Sequence, residues 1–214
     1  MKRTFILFLV AFLAFSCTGE REYSDWRGPN RDGIFPESGL LKQWPADGPA
    51  LLWSCEDLGF GHTGVAVAGD KIYVTGIRDS AQSVGTLFVF NTRGDLLLDK
   101  EYGQDFTINF IGTRSTSVVV DDLIYIESGA GAVYCLQSES GEEVWSRDFV
   151  HDFGADSAIQ FGYSESVLID GDRLICVPGG KEQNVVALDR FNGELVWSST
   201  GFGEQADVDR LVIG

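Results

Sequence analysis

Val133-Tyr134-Cys135-Leu136-Gln137-Ser138-Glu139-Ser140-Gly141-Glu142-Glu143-Val144-Trp145 and Val185-Val186-Ala187-Leu188-Asp189-Arg190-Phe191-Asn192-Gly193-Glu194-Leu195-Val196-Trp197 are two copies of one pattern. Each has an alternating apolar run, a polar turn holding a glycine, and a short run that ends on tryptophan four residues after that glycine. Leu87-Phe88-Val89-Phe90 with Gly94 keeps the spacing but ends on Leu98, and Leu51-Leu52-Trp53 supplies the ending alone. β-Branched and aromatic residues suit a pleated, half-buried surface, and glycine reaches the positive φ of a tight hairpin without a Cβ clash. Each copy therefore predicts a pair of antiparallel strands.

A second landmark precedes each copy: Ile72-Tyr73-Val74, Ile124-Tyr125-Ile126 and Ile175-Cys176-Val177, each after a turn with Asp or Gly. The period is about 50 residues, and a period of that size decides architecture before any local reading does. Four short strands per period match one blade of a β-propeller, a small sheet that hides its faces only by stacking on its neighbours. No window past residue 20 has a sustained helical apolar period. The expected fold is all-β, a partial propeller of three to four four-stranded blades. Trp53, Trp145 and Trp197, recurring at one repeat position, are expected to dock between blades, since a single ligand site has no use for one ring per repeat.

Upstream, Lys2 and Arg3 precede an apolar run from Phe5 to Phe15 and then Ser16-Cys17. Crossing a bilayer takes roughly 20 apolar residues, so this shorter run reads as the core of a signal peptide over residues 1–16. A cysteine directly after such a run resembles a bacterial lipoprotein signal, which makes Cys17 the expected lipid attachment site; an ordinary signal peptide with an incidental Cys17 is the plainer alternative. Residues 17–48 form a lead-in and residues 49–214 the repeats. The chain has 32 acidic and 16 basic side chains, a formal charge of −16. That balance argues against nucleic acid, and against any anionic lipid surface except through acyl chains. Cys135 and Cys176 lie in strand-like runs and are expected to be buried packing residues; with Cys55 also present, the sequence places no disulfide.

Taken together, Cys135-Leu136 with Gly141-Glu142 and Val144-Trp145, and Ala187-Leu188-Asp189 with Gly193-Glu194 and Val196-Trp197, resemble the quinoprotein-like repeat with its tryptophan docking motif. Asp25-Trp26-Arg27-Gly28-Pro29-Asn30-Arg31-Asp32-Gly33 resembles the start of secreted bacterial pyrroloquinoline-quinone-binding-like β-propellers, and Gly112-Thr113-Arg114-Ser115-Thr116-Ser117 and Phe161-Gly162-Tyr163-Ser164-Glu165-Ser166 resemble further pieces of them. The likeness runs from Asp25 to Gly203. It departs at Leu98, at Thr63-Gly64-Val65 where Ser-Ser-Pro is usual, and in the tail from Ala206 to Gly214. The resemblance implies a seven- or eight-bladed ring, so the chain is expected to stop before such a ring closes and to leave sheet faces for missing blades or self-association.

Two functions are compatible with the resemblance. One is an exported, lipid-anchored binding or scaffold module of the bacterial cell envelope, periplasmic or at the outer membrane, whose loops hold a protein, glycan or small molecule. Non-enzymatic members of this kind include a lipoprotein of the outer-membrane barrel-assembly machinery. The alternative is a fragment of an alcohol or sugar dehydrogenase that uses pyrroloquinoline quinone with calcium; the vicinal cysteine pair expected of such an enzyme does not occur in the sequence. Two histidines, His62 and His151, give little material for a metal site or a catalytic triad. Arg114 and Tyr163 stand in loops that lead into strands, where propeller rims collect ligands; hydrogen bonding between blades is the competing role. No catalytic residue is assigned. The lipid anchor is tested by radiolabelled fatty acid: label should enter the chain and vanish with Cys17→Ser.

Overall fold

The computed structural model describes residues 23–156 and 160–201, so the signal peptide, Cys17 and the departing tail lie outside the described residues. Three antiparallel sheets follow one another along the chain. The first contains β2 (Ala66–Ala68), β3 (Lys71–Gly76), β4 (Val84–Asn91) and β5 (Leu96–Gln104). The second contains β6 (Val118–Val120), β7 (Leu123–Ser128), β8 (Ala132–Gln137) and β9 (Glu143–Asp148). The third contains β10 (Leu168–Asp170), β11 (Arg173–Cys176), β12 (Val185–Asp189) and β13 (Leu195–Ser199). Among the described residues one helix interrupts them, the short α1 (Phe149–Phe153), whose start is held by the Asp148 carboxylate accepting from the His151 N–H. This is the all-β partial propeller that the repeat predicts.

Two details differ from the sequence reading. The lead-in joins a blade: β1 (Tyr23–Ser24) pairs antiparallel with β6 and gives the second sheet a fifth strand. The third copy also sits one residue earlier than the isoleucine match suggested. Lys71, Leu123 and Arg173 each pair with the last residue of the preceding strand, so Leu174, and not Ile175, is the counterpart of Ile124. Because side chains alternate across a sheet, a shift of one changes the face on which a residue packs. Leu174 and Cys176 indeed face the second sheet, in one core with Tyr125, Val133 and Cys135.

The turns set this register. Gly69 and Gly171 sit at φ 58° and 59° between the first two strands of their sheets, and Asp121 takes the same left-handed conformation, at φ 57°, in the middle sheet. Asp is among the few residues with a side chain that tolerate it. Its carboxylate accepts from Arg190 of the third sheet at 2.7 Å, so the turn also serves the neighbouring blade.

Burial follows from stacking. Every residue of β7 is buried, with Ile124 and Ile126 packed toward the first sheet and Leu123 and Tyr125 toward the third. The contact between sheets is made by the tryptophan position of one repeat against the glycine turn of the next. The Trp53 indole donates to the carbonyl of Thr92 at 3.1 Å and stacks on Phe90, and a Cβ on Gly94 would lie 2.7 Å from its ring. The Trp145 indole donates to the carbonyl of Arg190 at 3.0 Å and lies over Gly193 at the same 2.7 Å. Leu98 occupies the equivalent place against Gly141, without a donor. Trp197 is on the far face of the third sheet and 40% exposed, beside the exposed Leu195 and Val196.

Removing a buried ring leaves a cavity that costs ~3–5 kcal/mol. Urea unfolding of Trp145→Ala should show a loss of that order. Gly193→Ala should also destabilise, since the glycine holds φ 71° under the same ring. Trp197→Ala should shift stability by less than about 1 kcal/mol, as expected of a surface change.

Candidate functional site

The residues just before the first strand of each sheet form a ladder from blade to blade. The Thr63 hydroxyl donates to the Ser115 carbonyl at 2.6 Å, the Gly64 N–H to the Thr116 hydroxyl at 3.1 Å, and the Thr116 N–H to the Ser166 hydroxyl at 3.0 Å. This accounts for the departure at Gly64: a Cβ there would approach the Thr116 hydroxyl to 2.7 Å. The lead-in crosses the same place, with Arg31 donating to the Ile169 carbonyl and pairing with Asp25.

Between the lead-in and this ladder is a cavity of about 440 Å³, within the range of small-molecule sites. Arg27, Arg31, Arg114 and His62 bring positive or ionisable groups to it, and Asp25 and Glu165 bring carboxyls. Serine and threonine hydroxyls complete a lining suited to polar recognition. Arg114 is fixed by donating to the carbonyls of Asn109 (2.7 Å) and Phe110 (2.9 Å), with its guanidinium 4.6 Å from the centre of the Phe106 ring. Burial pulls its pKa below the ordinary arginine value, opposed by the charge of Asp105. His62 reaches the Phe110 carbonyl at 3.2 Å.

Tyr163 lines a different, smaller cavity of about 220 Å³ together with Asp105, Gly129 and Asp156, so the structure does not bring Arg114 and Tyr163 into one site. The Tyr163 hydroxyl donates to the Pro178 carbonyl at 2.9 Å, and its ring meets Phe149 edge-on at 5.0 Å. Its backbone N–H donates to the Gly129 carbonyl, so it bonds the third repeat to the second.

Two buried carboxyls, Asp105 and Glu127, and a third that is partly buried, Glu165, escaped the sequence reading. Asp105 accepts from the Tyr102 hydroxyl (2.5 Å), the Phe106 N–H (2.7 Å) and the Gly129 N–H (2.8 Å), and its pKa is raised by burial against those bonds. Glu127 and Glu165 meet between the second and third sheets. The signal for Glu127 was available: a charge ending the apolar run Ile124-Tyr125-Ile126, in a strand with no solvent face.

Cys135 and Cys176 are free and buried, and Cys55 is free and exposed. Burial pushes the Cys135 thiol up to about 12, so it is unsuited to nucleophilic work. His151 is exposed, and its hydrogen bond to Asp152 raises its pKa. Among the described residues there is no group of three or more His, Cys, Asp or Glu that could hold a metal ion, and no helix long and apolar enough to cross a membrane.

Comparison with known proteins agrees with this architecture. A curated relative from Kangiella koreensis, outer membrane protein assembly factor BamB, is 26% identical over 163 residues, which is 71% of this chain and 37% of the relative. Quinohemoprotein alcohol dehydrogenase from Comamonas testosteroni superimposes with a TM-score of 0.52 at 18% identity, over 66% of this chain and 21% of that one, a likeness of fold. BamB from Moraxella catarrhalis gives a TM-score of 0.44 at 20% identity, over 64% and 36%. The chain thus spans little more than a third of the length of the curated relative it matches. The family model for outer membrane protein assembly factor BamB matches residues 91–212, more than half of the sequence and both tryptophan-ended repeats, and the chain belongs to that family.

Proposed function

We propose that this chain is an exported, lipid-anchored propeller module that binds or scaffolds other proteins of the bacterial cell envelope during outer-membrane protein assembly. The observation that carries this reading is the polar cavity of about 440 Å³ at which the lead-in and three repeats converge, on a chain of an assembly-factor family. Arg114 is held by backbone carbonyls and therefore aims its remaining N–H capacity without needing to be ordered by the partner. A carboxylate or backbone carbonyl of a partner segment is the complementary group.

The dehydrogenase reading needs a quinone stacked on a vicinal cysteine pair and a calcium cage. The sequence contains no Cys-Cys dipeptide, and the described residues offer no three-ligand acidic cluster. The residues present do not fit that cofactor set.

The test is site-specific photocrosslinking from the cavity rim in an outer-membrane-bearing bacterium, with the crosslinker at His62. Crosslinks to a component or substrate of outer-membrane protein assembly are expected, reduced at least fivefold by Arg114→Ala with little change in melting temperature. If Arg114→Ala lowers stability and leaves the crosslinks intact, Arg114 is a bond between repeats and the cavity is not the binding site.

A further inference from the structure

Glu127 closes β7 of the second sheet with 1% of its surface exposed, and among the described residues neither carboxylate oxygen receives an N–H or O–H donor. Its carboxyl instead lies within hydrogen-bonding reach of that of Glu165, in the loop before β10 of the third sheet. Two carboxylates that close repel, and the burial of Glu127 removes from its side the water that would screen them; one proton held between them turns the repulsion into a hydrogen bond. Glu165 has a donor of its own, the Val177 N–H at 2.5 Å, which suits the charged member of such a pair.

Among the described residues, the charged groups around the pair are turned elsewhere or are of the same sign. On the buried side the groups acting on the pair are Asp105, Tyr163 and the Cys176 thiol, each neutral or negative. On the cavity side Glu165 shares its walls with Asp25, Arg27, Arg31, His62 and Arg114. Arg31 is paired with Asp25, and Arg114 directs its charge at Asp105.

We propose that Glu127 and Glu165 share one proton across the seam between the second and third sheets, and that its loss as pH rises loosens the seam and alters what the adjoining cavity holds. Only the last consequence rests on reading the cavity as a binding site. Burial first, and then Glu165, holds the Glu127 carboxyl well above the usual carboxylate range, and burial also raises Glu165. Free glutamate ionises near pH 4.3, so folding takes up a proton above about that pH. The stabilisation is complete below the unfolded value and lost as pH rises through the folded one.

The experiment follows thermal unfolding of the full chain between about pH 5 and 8, with E127Q and E165Q alongside. The wild type should lose stability with rising pH relative to E127Q, whose amide donates permanently to Glu165, and amide exchange at Val177 should speed up about tenfold beyond its intrinsic pH dependence. Infrared spectra of chain labelled with ¹³C-glutamate should show one protonated carboxyl at neutral pH, abolished by E127Q and shifted in frequency by E165Q, which leaves Glu127 buried but changes its hydrogen-bond partner. Identical pH profiles for wild type and E127Q would overturn the proposal, as would absence of that carboxyl band. So would stabilisation by added calcium chloride at pH 8, the mark of a cation between two carboxylates. The infrared measurement on the wild type decides the matter even if a variant fails to fold. A shared proton with crosslinking from His62 unchanged across the range retains the pair and rejects only its effect on the cavity.

Discussion

A four-stranded sheet of this kind is apolar on both faces and cannot shield either one by itself. The middle sheet of this chain meets that constraint from both sides: Ile124 and Ile126 look one way, Leu123 and Tyr125 the other, and all of β7 is buried. Burial of apolar area is the largest favourable contribution to folding, and here it accrues between repeats and not within them. The outer faces are different in kind. Leu195, Val196 and Trp197 on the third sheet remain in contact with solvent.

Apolar stacking alone would let the sheets slide, and directional bonds fix how they meet. At the seam between the second and third sheets one carbonyl, that of Arg190, accepts from the Trp145 indole and the Tyr125 hydroxyl. The guanidinium of the same residue reaches back to Tyr125 and Asp121. Burial works against that charge, but the bonds to Tyr125 and Asp121 outweigh it and raise the Arg190 pKa. The seam between the first and second sheets has Leu98 at the tryptophan position and is held elsewhere, through Asp105 and the N–H of Gly129. The two seams thus solve one geometric problem with different chemistry, and the second of them carries the unusual carboxyl pair.

Much of the fold was legible because hairpin turns and the glycine-to-tryptophan spacing are local. The strands around Gly94, Gly141 and Gly193 were readable for that reason. Register was harder: Ile175 looked like the match for Ile124, yet the turn at Gly171 makes Leu174 the counterpart, and only pairing can tell the two apart. Contacts between distant segments left no local trace, which is why the β1–β6 pairing and the bond from Arg31 to Ile169 were not foreseen. Of the candidate site, the loop positions of Arg114 and Tyr163 were legible, but that the two line separate cavities was not, because it depends on how the repeats stack. Glu127 carried a local signal, a charge at the end of an apolar run, but its pairing with Glu165 was invisible because the two come together only when the sheets stack.

The pairing of Tyr23–Ser24 with Val119 and Val120 has a bearing on how the chain acquires its shape. Its two halves are separated by about a hundred residues, a distance over which loop closure is slow and entropically unfavourable. During vectorial synthesis the strand Tyr23–Ser24 must wait, unpaired, while the whole first blade and the start of the second emerge. A strand kept waiting is an open edge, available to chaperones or to a neighbouring molecule. Its docking is therefore a late event, in which a strand made early closes the edge of a blade made after it.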